Sequence, residues 1–418
     1  MSVKQRSSRD LIDELRAGPL ALHVDAFEQL FHDGRYAAST LRQYLGCLAH
    51  LAHWMSQQQR SVEELDEAVV ADFLDRHLPQ CRCPRPVTRT RWLLHAALKR
   101  LLLLLRANGV IPERLPATTP VDEELRRFDA YMDHVRGLAP STRSSHRRTV
   151  GRLLMAQFGV QSVVISAILP EELRRFVARQ SELYRSPGDA ASMIAALRGY
   201  FRYRATRGDA VHALIGVLMY PVKWKLSSLP QGLSRSEVER LEAVLGTGEG
   251  ISPRRAEAMV RCALDLGLRR GEIARLSLDD VDWRAGMLRL RHTKGLREDS
   301  LPLPEATGRA IAEYLRLERP RTTSRAVFVR HAPPIGQPVG PDTVAKAIRQ
   351  AYARADLTYT RAHLLRHTMA SRLLAGGSSI KEVADVLRHR SLETTQIYAK
   401  LDSRNLSTVA LPWPGREA

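Results

Sequence analysis

Spacing and punctuation along the chain point to a mainly α protein with one small β element, on three observations. Apolar residues recur at three- and four-residue intervals through most of the 418 residues, with Ser or Thr at helix starts and Gly at helix ends. The first half repeats itself weakly at about 100 residues. Ala38-Ser39-Thr40 answers to Pro140-Ser141-Thr142, Ala96-Ala97-Leu98-Lys99-Arg100 to Ala195-Ala196-Leu197-Arg198-Gly199, and Gly109 to Gly208. The last third changes texture, with short strand-like runs around turn residues inside a helical pattern. The expectation is two N-terminal helical modules and a C-terminal α+β domain holding a small antiparallel sheet.

The elements follow in order. A first helical module spans 1–115 and a second 122–220, separated by the Pro-rich stretch from Pro112 to Val121. Residues 221–233 form a basic linker in which Lys223 and Lys225 lie between prolines. Ser234 and Glu237 have the spacing of a capping box and open a domain over 234–402. Inside it, helical pattern covers 236–244 and then 253–276 as one stretch. Val281-Asp282-Trp283 and residues 287–293 read as strands around Arg284-Ala285-Gly286. Lys294-Gly295 forms a second hairpin turn ahead of Leu301-Pro302-Leu303. Helices resume at Pro304 and run to about Asp402, leaving 403–418 as a tail.

Lys and Arg number 64 against 45 Asp and Glu, a net charge of +19. A folded chain that basic repels itself until it meets a polyanion, so double-stranded DNA is the leading partner, ahead of an anionic membrane surface. Membrane insertion is excluded by pattern. The most apolar run, Leu101 to Leu105, is five residues long, whereas a span needs ~20. The opening MSVKQRSSRDLIDELRAG has no apolar export core, and four cysteines make no disulfide framework, so the cytoplasm, in association with the nucleoid, is expected. Cys81 and Cys83 flank Arg82, and Cys47, His50 and His53 share a helical pattern upstream. These spacings match no standard zinc set, so ordinary buried or surface thiols are the leading reading, no metal site is assigned, and zinc at Cys81 and Cys83 stays the open alternative. Neither GxxxxGK[ST] nor GxGxxG occurs, so no nucleotide cofactor is implied.

Four segments concentrate reactive side chains: Leu266 to Glu272 (LGLRRGE), His292-Thr293-Lys294-Gly295, His363 to Thr368 (HLLRHT), and Leu387 to Ser391 (LRHRS) with Tyr398 beyond it. Attack on a phosphodiester requires a nucleophile, cations for the non-bridging oxygens and a proton for the leaving oxygen. Arginine suits the oxygens because its planar fork makes paired charge-assisted bonds and does not deprotonate; Arg269 and Arg366 are the candidates. His363 precedes Arg366 by three residues and shares its helix face, and its near-neutral pKa suits proton exchange or phosphate orientation. His367 is placed on a different face as a packing residue. His389 is a phosphate donor or a helix cap. A phenol such as that of Tyr398, with a reference pKa near 10, needs cationic neighbours to attack at neutral pH.

Together the four segments resemble the catalytic domain of the tyrosine recombinases, the family of phage integrases and Xer-type resolvases, over residues ~230–402. The resemblance implies catalytic roles for Arg269, Lys294, His363, Arg366, His389 and Tyr398. Tyr398 is the nucleophile forming a 3′-phosphotyrosine, and Lys294 is the acid that protonates the leaving 5′ oxygen. It implies that Glu272 holds a basic side chain in place, that no cofactor is used, and that the protein acts as a tetramer on synapsed sites, alone or with partner recombinases. Each N-terminal module looks like the family's helical core-binding module. Arg143, Arg147 and Arg148, in the Arg-rich run after Pro140, are candidate DNA contacts with Lys223 and Lys225, although a solvated loop explains the two lysines equally well. Two departures stand out: Arg388 occupies a position where the family usually has Gly, and Glu298-Asp299-Ser300 replaces a more basic stretch. The extra module exceeds the compact Xer-type plan and suggests a mobile-element role. The alternatives are a type IB topoisomerase-like enzyme and a DNA-binding accessory subunit that does not cut.

Overall fold

The computed structural model describes residues 8–83, 88–113, 119–184, 187–221, 232–246, 252–291 and 298–388. The chain forms two compact units, one of Met1–Pro112 with Ser228–Ala418 and the other of Glu113–Ser227.

The N-terminal stretch of the larger unit is helical: α1 (Ser8–Arg16), α2 (Val24–Asp33), α3 (Ala38–Gln57), α4 (Glu67–Asp72) and α5 (Arg91–Ala107). Its core is continuous and rich in Leu and aromatic side chains; Phe27, Leu45, Leu51, Phe73, Leu98 and Leu105 are sealed from solvent. Asp66 caps α4 by accepting from Val69 N–H at 2.8 Å. The helix then widens into a π-helical turn, Phe73–His77.

The smaller unit contains α6 (Pro120–Ala130), α7 (Pro140–Phe158), α8 (Pro170–Glu182), α9 (Pro187–Ala205) and α10 (His212–Gly216). Its own core gathers Phe128, Leu153, Leu197, Tyr200 and Phe201. The sequence repeat has a structural counterpart. Ala37 before α3 and Ala139 before α7 adopt nearly the same extended backbone, φ −63°, ψ 143° and φ −58°, ψ 144°. Gly109 after α5 and Gly208 after α9 both take positive φ, +70° and +94°, the backbone that stops a helix and that glycine adopts without a Cβ penalty.

The C-terminal stretch of the larger unit holds α11 (Arg235–Ala243), α12 (Pro253–Leu264), α13 (Arg270–Arg275), β1 (Val281–Asp282), β2 (Met287–Leu290), β3 (Asp299–Pro302), α14 (Glu305–Glu313), α15 (Pro341–Arg354), α16 (His363–Ala375) and α17 (Ile380–Val386). Ser234 and Glu237 cap α11 reciprocally, at 2.7 and 3.3 Å. The strands form one antiparallel sheet in the order β1-β2-β3, with Leu288 opposite Val281 on one side and Leu301 on the other. Leu288 and Leu290 face the core while Arg289, between them, is exposed and meets Asp282 at 3.2 Å. The core centres on α12, whose Ala258, Met259, Val260, Cys262, Ala263 and Leu264 are all buried. Among the described residues no helix is long and apolar enough to cross a membrane.

One sequence expectation needs correction: 253–276 is not a single helix. α12 stops at Leu264 and α13 starts at Arg270, because Gly267 sits at φ +58° and turns the chain. A Cβ there would lie 3.1 Å from Leu387 Cδ2 and 3.4 Å from Met369 Sδ. Gly267→Ala is therefore expected to destabilise by about 1–3 kcal/mol in urea denaturation, from the backbone penalty plus crowding. Gly286→Ala, at φ +62° with open space around it, should lose only the backbone part, about 1 kcal/mol. Equal losses would show that the packing around Gly267 is not limiting.

Candidate active site

Two turns and one helix start bring the basic residues of the C-terminal stretch together. Arg269 occupies the N-cap of α13, where its backbone N–H donates to Glu272 Oε2 at 2.8 Å and its guanidinium to Glu272 Oε1 at 2.7 Å. Three-residue spacing across a helix start is what lets one carboxylate engage both groups. Glu272 is also reached from the end of α17. Arg388 Nη2 donates to its Oε2 at 2.8 Å, and both side chains are almost fully enclosed, 5% and 4% exposed. One carboxylate thus neutralises two arginines 119 positions apart in the chain. Burial alone would raise the Glu272 pKa, but Arg388, the Arg269 N–H and the Arg269 guanidinium together hold it below the usual glutamate value.

Arg388 stands at φ +53°, a left-handed backbone that residues other than glycine rarely adopt. Its second contact, Nη1 to Val386 O at 3.2 Å, and the pairing with Glu272 hold the side chain over its own turn. The arginine that departs from the family's usual glycine is therefore built into the site through the acid.

Arg366 is 1% exposed on α16. Its Nη1 donates to Gly267 O and its Nη2 to Leu387 O. The buried guanidinium joins three segments: the turn that delivers Arg269, α16, and the end of α17 that delivers Arg388. His363, at the start of α16, keeps part of its surface in solvent. Desolvation by the surrounding protein, then His367, Arg366 and Arg269, push its pKa down to about 4, with Glu272 opposing them. His367 does not lie on a separate face. Four residues on from His363, it meets that ring edge-on at 4.7 Å between centroids, as i,i+4 neighbours do.

Arg269, Glu272, His363 and Arg366 are thus brought together, with Arg388 as a member that sequence reasoning treated only as a departure. Nothing local marks Arg388, because its partner Glu272 is distant in the chain. Lys294, His389 and Tyr398 lie outside the described residues, as do Lys223 and Lys225. In the smaller unit, Arg143 pairs with Asp129 through two bonds of 3.2 and 3.1 Å and also with Asp133. Arg147 and Arg148 are exposed on α7.

Glu272→Gln should destabilise the protein by about 3–5 kcal/mol, because it leaves the enclosed Arg388 charge uncompensated. Arg388→Met should cost less, since Glu272 keeps Arg269; equal losses in chemical denaturation would contradict the shared-carboxylate reading. The histidines add a pH dependence. His146, His363 and His367 all have pKa values lowered from 6.5, chiefly by burial. Unfolded chains therefore take up protons that the folded chain does not, and stability should fall as pH drops below about 6.5. Glu272, held low, keeps its pairing through that window. A Tm that stays flat between about pH 7 and 5 would contradict the assignment.

Comparison with known proteins completes the picture. Residues 231–404 match the model of the Phage integrase family, and residues 24–105 that of the Phage integrase, N-terminal SAM-like domain. The chain is 33% identical over 405 residues to the Putative integrase/recombinase y4rA of Sinorhizobium fredii, covering 95% of each. It is 30% identical over 286 residues to Tyrosine recombinase XerC of Azotobacter vinelandii, covering 68% of this chain and 93% of that one. The solved lambda integrase dimer bound to a COC′ core site shares the fold, with a TM-score of 0.51 at 14% identity over 71% of this chain and 98% of that one. Likeness along nearly the full length of y4rA, over a chain that gathers Arg269, His363 and Arg366, shows that this protein belongs to the tyrosine recombinase family.

Proposed function

We propose that this recombinase cuts and rejoins double-stranded DNA through a 3′-phosphotyrosine link, and that it serves a mobile element. The observation that carries the reading is the convergence of Arg269, His363 and Arg366 around one buried acid and two carbonyl-anchored turns. Such a cluster offers fixed cations to a phosphate without rearrangement.

In the proposed step the Tyr398 phenol oxygen attacks the scissile phosphorus. The P–O3′-side bond is kept, the bond to the 5′ oxygen breaks, and Lys294 supplies the proton that this oxygen needs. Arg269 and His389 bind the non-bridging oxygens. We assign Arg366, whose guanidinium ties together the turns that deliver Arg269 and Arg388, to the same phosphate. His363, neutral at pH 7, is the acceptor for the phenolic proton. A 5′ hydroxyl from a partner duplex then attacks the phosphotyrosine and releases Tyr398, so the phosphodiester count is conserved and neither metal nor nucleotide enters.

The lambda integrase relative was solved on core-site DNA, and the net charge of +19 suits the same class of partner. We assign the DNA grip to Arg147 and Arg148 with Lys223 and Lys225. Arg143, already paired with two aspartates, has the weaker case. The division into modules at 1–115, 122–220 and 234–402, joined by the linker 221–233 and followed by the tail 403–418, belongs to the same proposal; in its favour, each of the three modules has its own main hydrophobic core among the described residues, the last with a smaller cluster of Met369, Ala370, Val383 and Leu387 beside it. Assembly as a tetramer on two sites, alone or with partner recombinases, and residence on the cytoplasmic nucleoid belong to the same proposal. The mobile-element role is supported by architecture: the XerC relative accounts for 68% of this chain and y4rA for 95%.

Nicked duplexes made from DNA flanking the gene would trap the cut state, because the short fragment diffuses away. The parent protein should give a covalent band on denaturing gels, and Tyr398→Phe should give none while binding as tightly. Arg366→Lys should reduce trapping by at least about 100-fold, since lysine cannot hold both carbonyls in a fork. Tight binding by the parent with no covalent product, even with neighbouring recombinases added, would instead assign a DNA-binding accessory role.

A further inference from the structure

The first helical stretch contains a side-chain cluster that DNA cleavage does not use. His50 lies in the middle of α3, His77 ends the π-helical turn after α4, and Cys81 and Cys83 follow in the connection to α5. Their four ligand-type atoms all lie within 4.8 Å of one another, and His50, Cys81 and Cys83 are buried. Neighbouring members are closer: His50 Nε2 to Cys81 Sγ is 3.2 Å, His77 Nε2 to His50 Nε2 is 3.3 Å, and Cys83 Sγ to His77 Nε2 is 3.4 Å. Around a tetrahedral zinc with Zn–N of about 2.0–2.1 Å and Zn–S of about 2.3 Å, ligand atoms stand about 3.3–3.8 Å apart. The contacts therefore have the edge lengths of such a tetrahedron, and its longest edge needs to close by about 1 Å.

The imidazole tautomer points the same way. His50 Nδ1 lies 2.8 Å from Thr88 O, which can only accept, so this nitrogen carries the proton. In the neutral ring the lone pair is then on Nε2, the atom aimed at Cys81 and His77. A carbonyl that orients a histidine through its other nitrogen is the usual outer support of a metal ligand. Aromatic rings line one side: Phe73 stacks on His77 at 5.3 Å and meets His50 edge-on at 5.0 Å, and Trp54 lies beside both Phe73 and His77. Arg89 approaches from another, donating to Cys81 O at 3.0 Å, a cation that favours thiolates. Two thiolates and two neutral imidazoles would neutralise a bound divalent ion, so that burying it carries little charge penalty.

We propose that His50, His77, Cys81 and Cys83 form a structural zinc site that fastens α3, the end of α4 and the connection to α5 to one another. Sequence spacing did not reveal it, because Cys-x-Cys is tighter than the common cysteine pairs and because His77, unlike His53, had not been grouped with the thiols. The fold instead directs His53 to Gln57, at 3.0 Å. The site would close with four protein ligands and no open position, so its role is to hold structure and not to react. The inference is independent of the recombination chemistry.

The test uses the full chain, purified under reducing conditions from zinc-supplemented medium. Mass-spectrometric metal analysis should find one zinc per chain, lost in the Cys81→Ser/Cys83→Ser variant and kept in Cys262→Ser. Should the double variant fail to fold, the parent protein still decides the matter through cobalt. After removal of zinc, added Co²⁺ should give thiolate-to-metal charge-transfer absorption and the strong visible bands of a tetrahedral centre, and His77→Asn should alter them. Chelation should also lower the Tm. Parent protein that carries no stoichiometric zinc and gives no cobalt–thiolate absorption overturns the site, as does a Cys81–Cys83 disulfide in that protein. Zinc retained by the double variant would overturn the assignment to these residues.

Discussion

Inside the C-terminal stretch, one guanidinium decides where the others stand. Arg366 is sealed from water and gives one hydrogen bond to Gly267 O and another to Leu387 O. Bonds of this kind, with a charged donor, contribute about 1.5–3 kcal/mol each, and the carbonyls they satisfy would otherwise be buried without partners. Gly267 leads to Arg269 and Leu387 leads to Arg388, so the clamp sets the spacing of the two arginines that Glu272 then joins. Gly267 can accept this role because it has no Cβ to collide with Leu387 and Met369.

The clamp rests on α12. That helix is apolar on its inner and flanking faces, and its burial lets α14, α15 and α16 pack around it. Fixing a carboxylate and two cations in such a setting carries a desolvation cost, which mutual pairing offsets only when geometry is tight. The site is accordingly built at element ends, where turns and caps leave backbone groups free to take part.

Much of this organisation was legible in the sequence, and the exceptions share a cause. Caps and stops act over three or four residues, so Ser234 with Glu237 and the repeat glycines can be read locally, whereas the role of Glu272 beside Arg269 is implied only by the family resemblance. The mainly helical plan and the small sheet followed from the same short-range rules, and the family was recognisable from the order of its basic segments. Gly267 was passed over because a single glycine inside an apolar pattern does not reveal its φ. Arg388 was read as a departure, and His77 was missed, because each finds its partners only when distant segments meet. The pairing of His367 with His363 is different, because it is local and follows the i,i+4 rule.

The sheet has a further consequence. One edge strand, β1, is two residues long, and the other, β3, begins with Asp299 and ends with Pro302, whose nitrogen has no hydrogen to donate. Among the described residues neither edge offers a run of free backbone groups long enough to template another strand. The sheet of one copy is thereby kept from extending edge to edge into that of another, which would otherwise build a continuous ribbon.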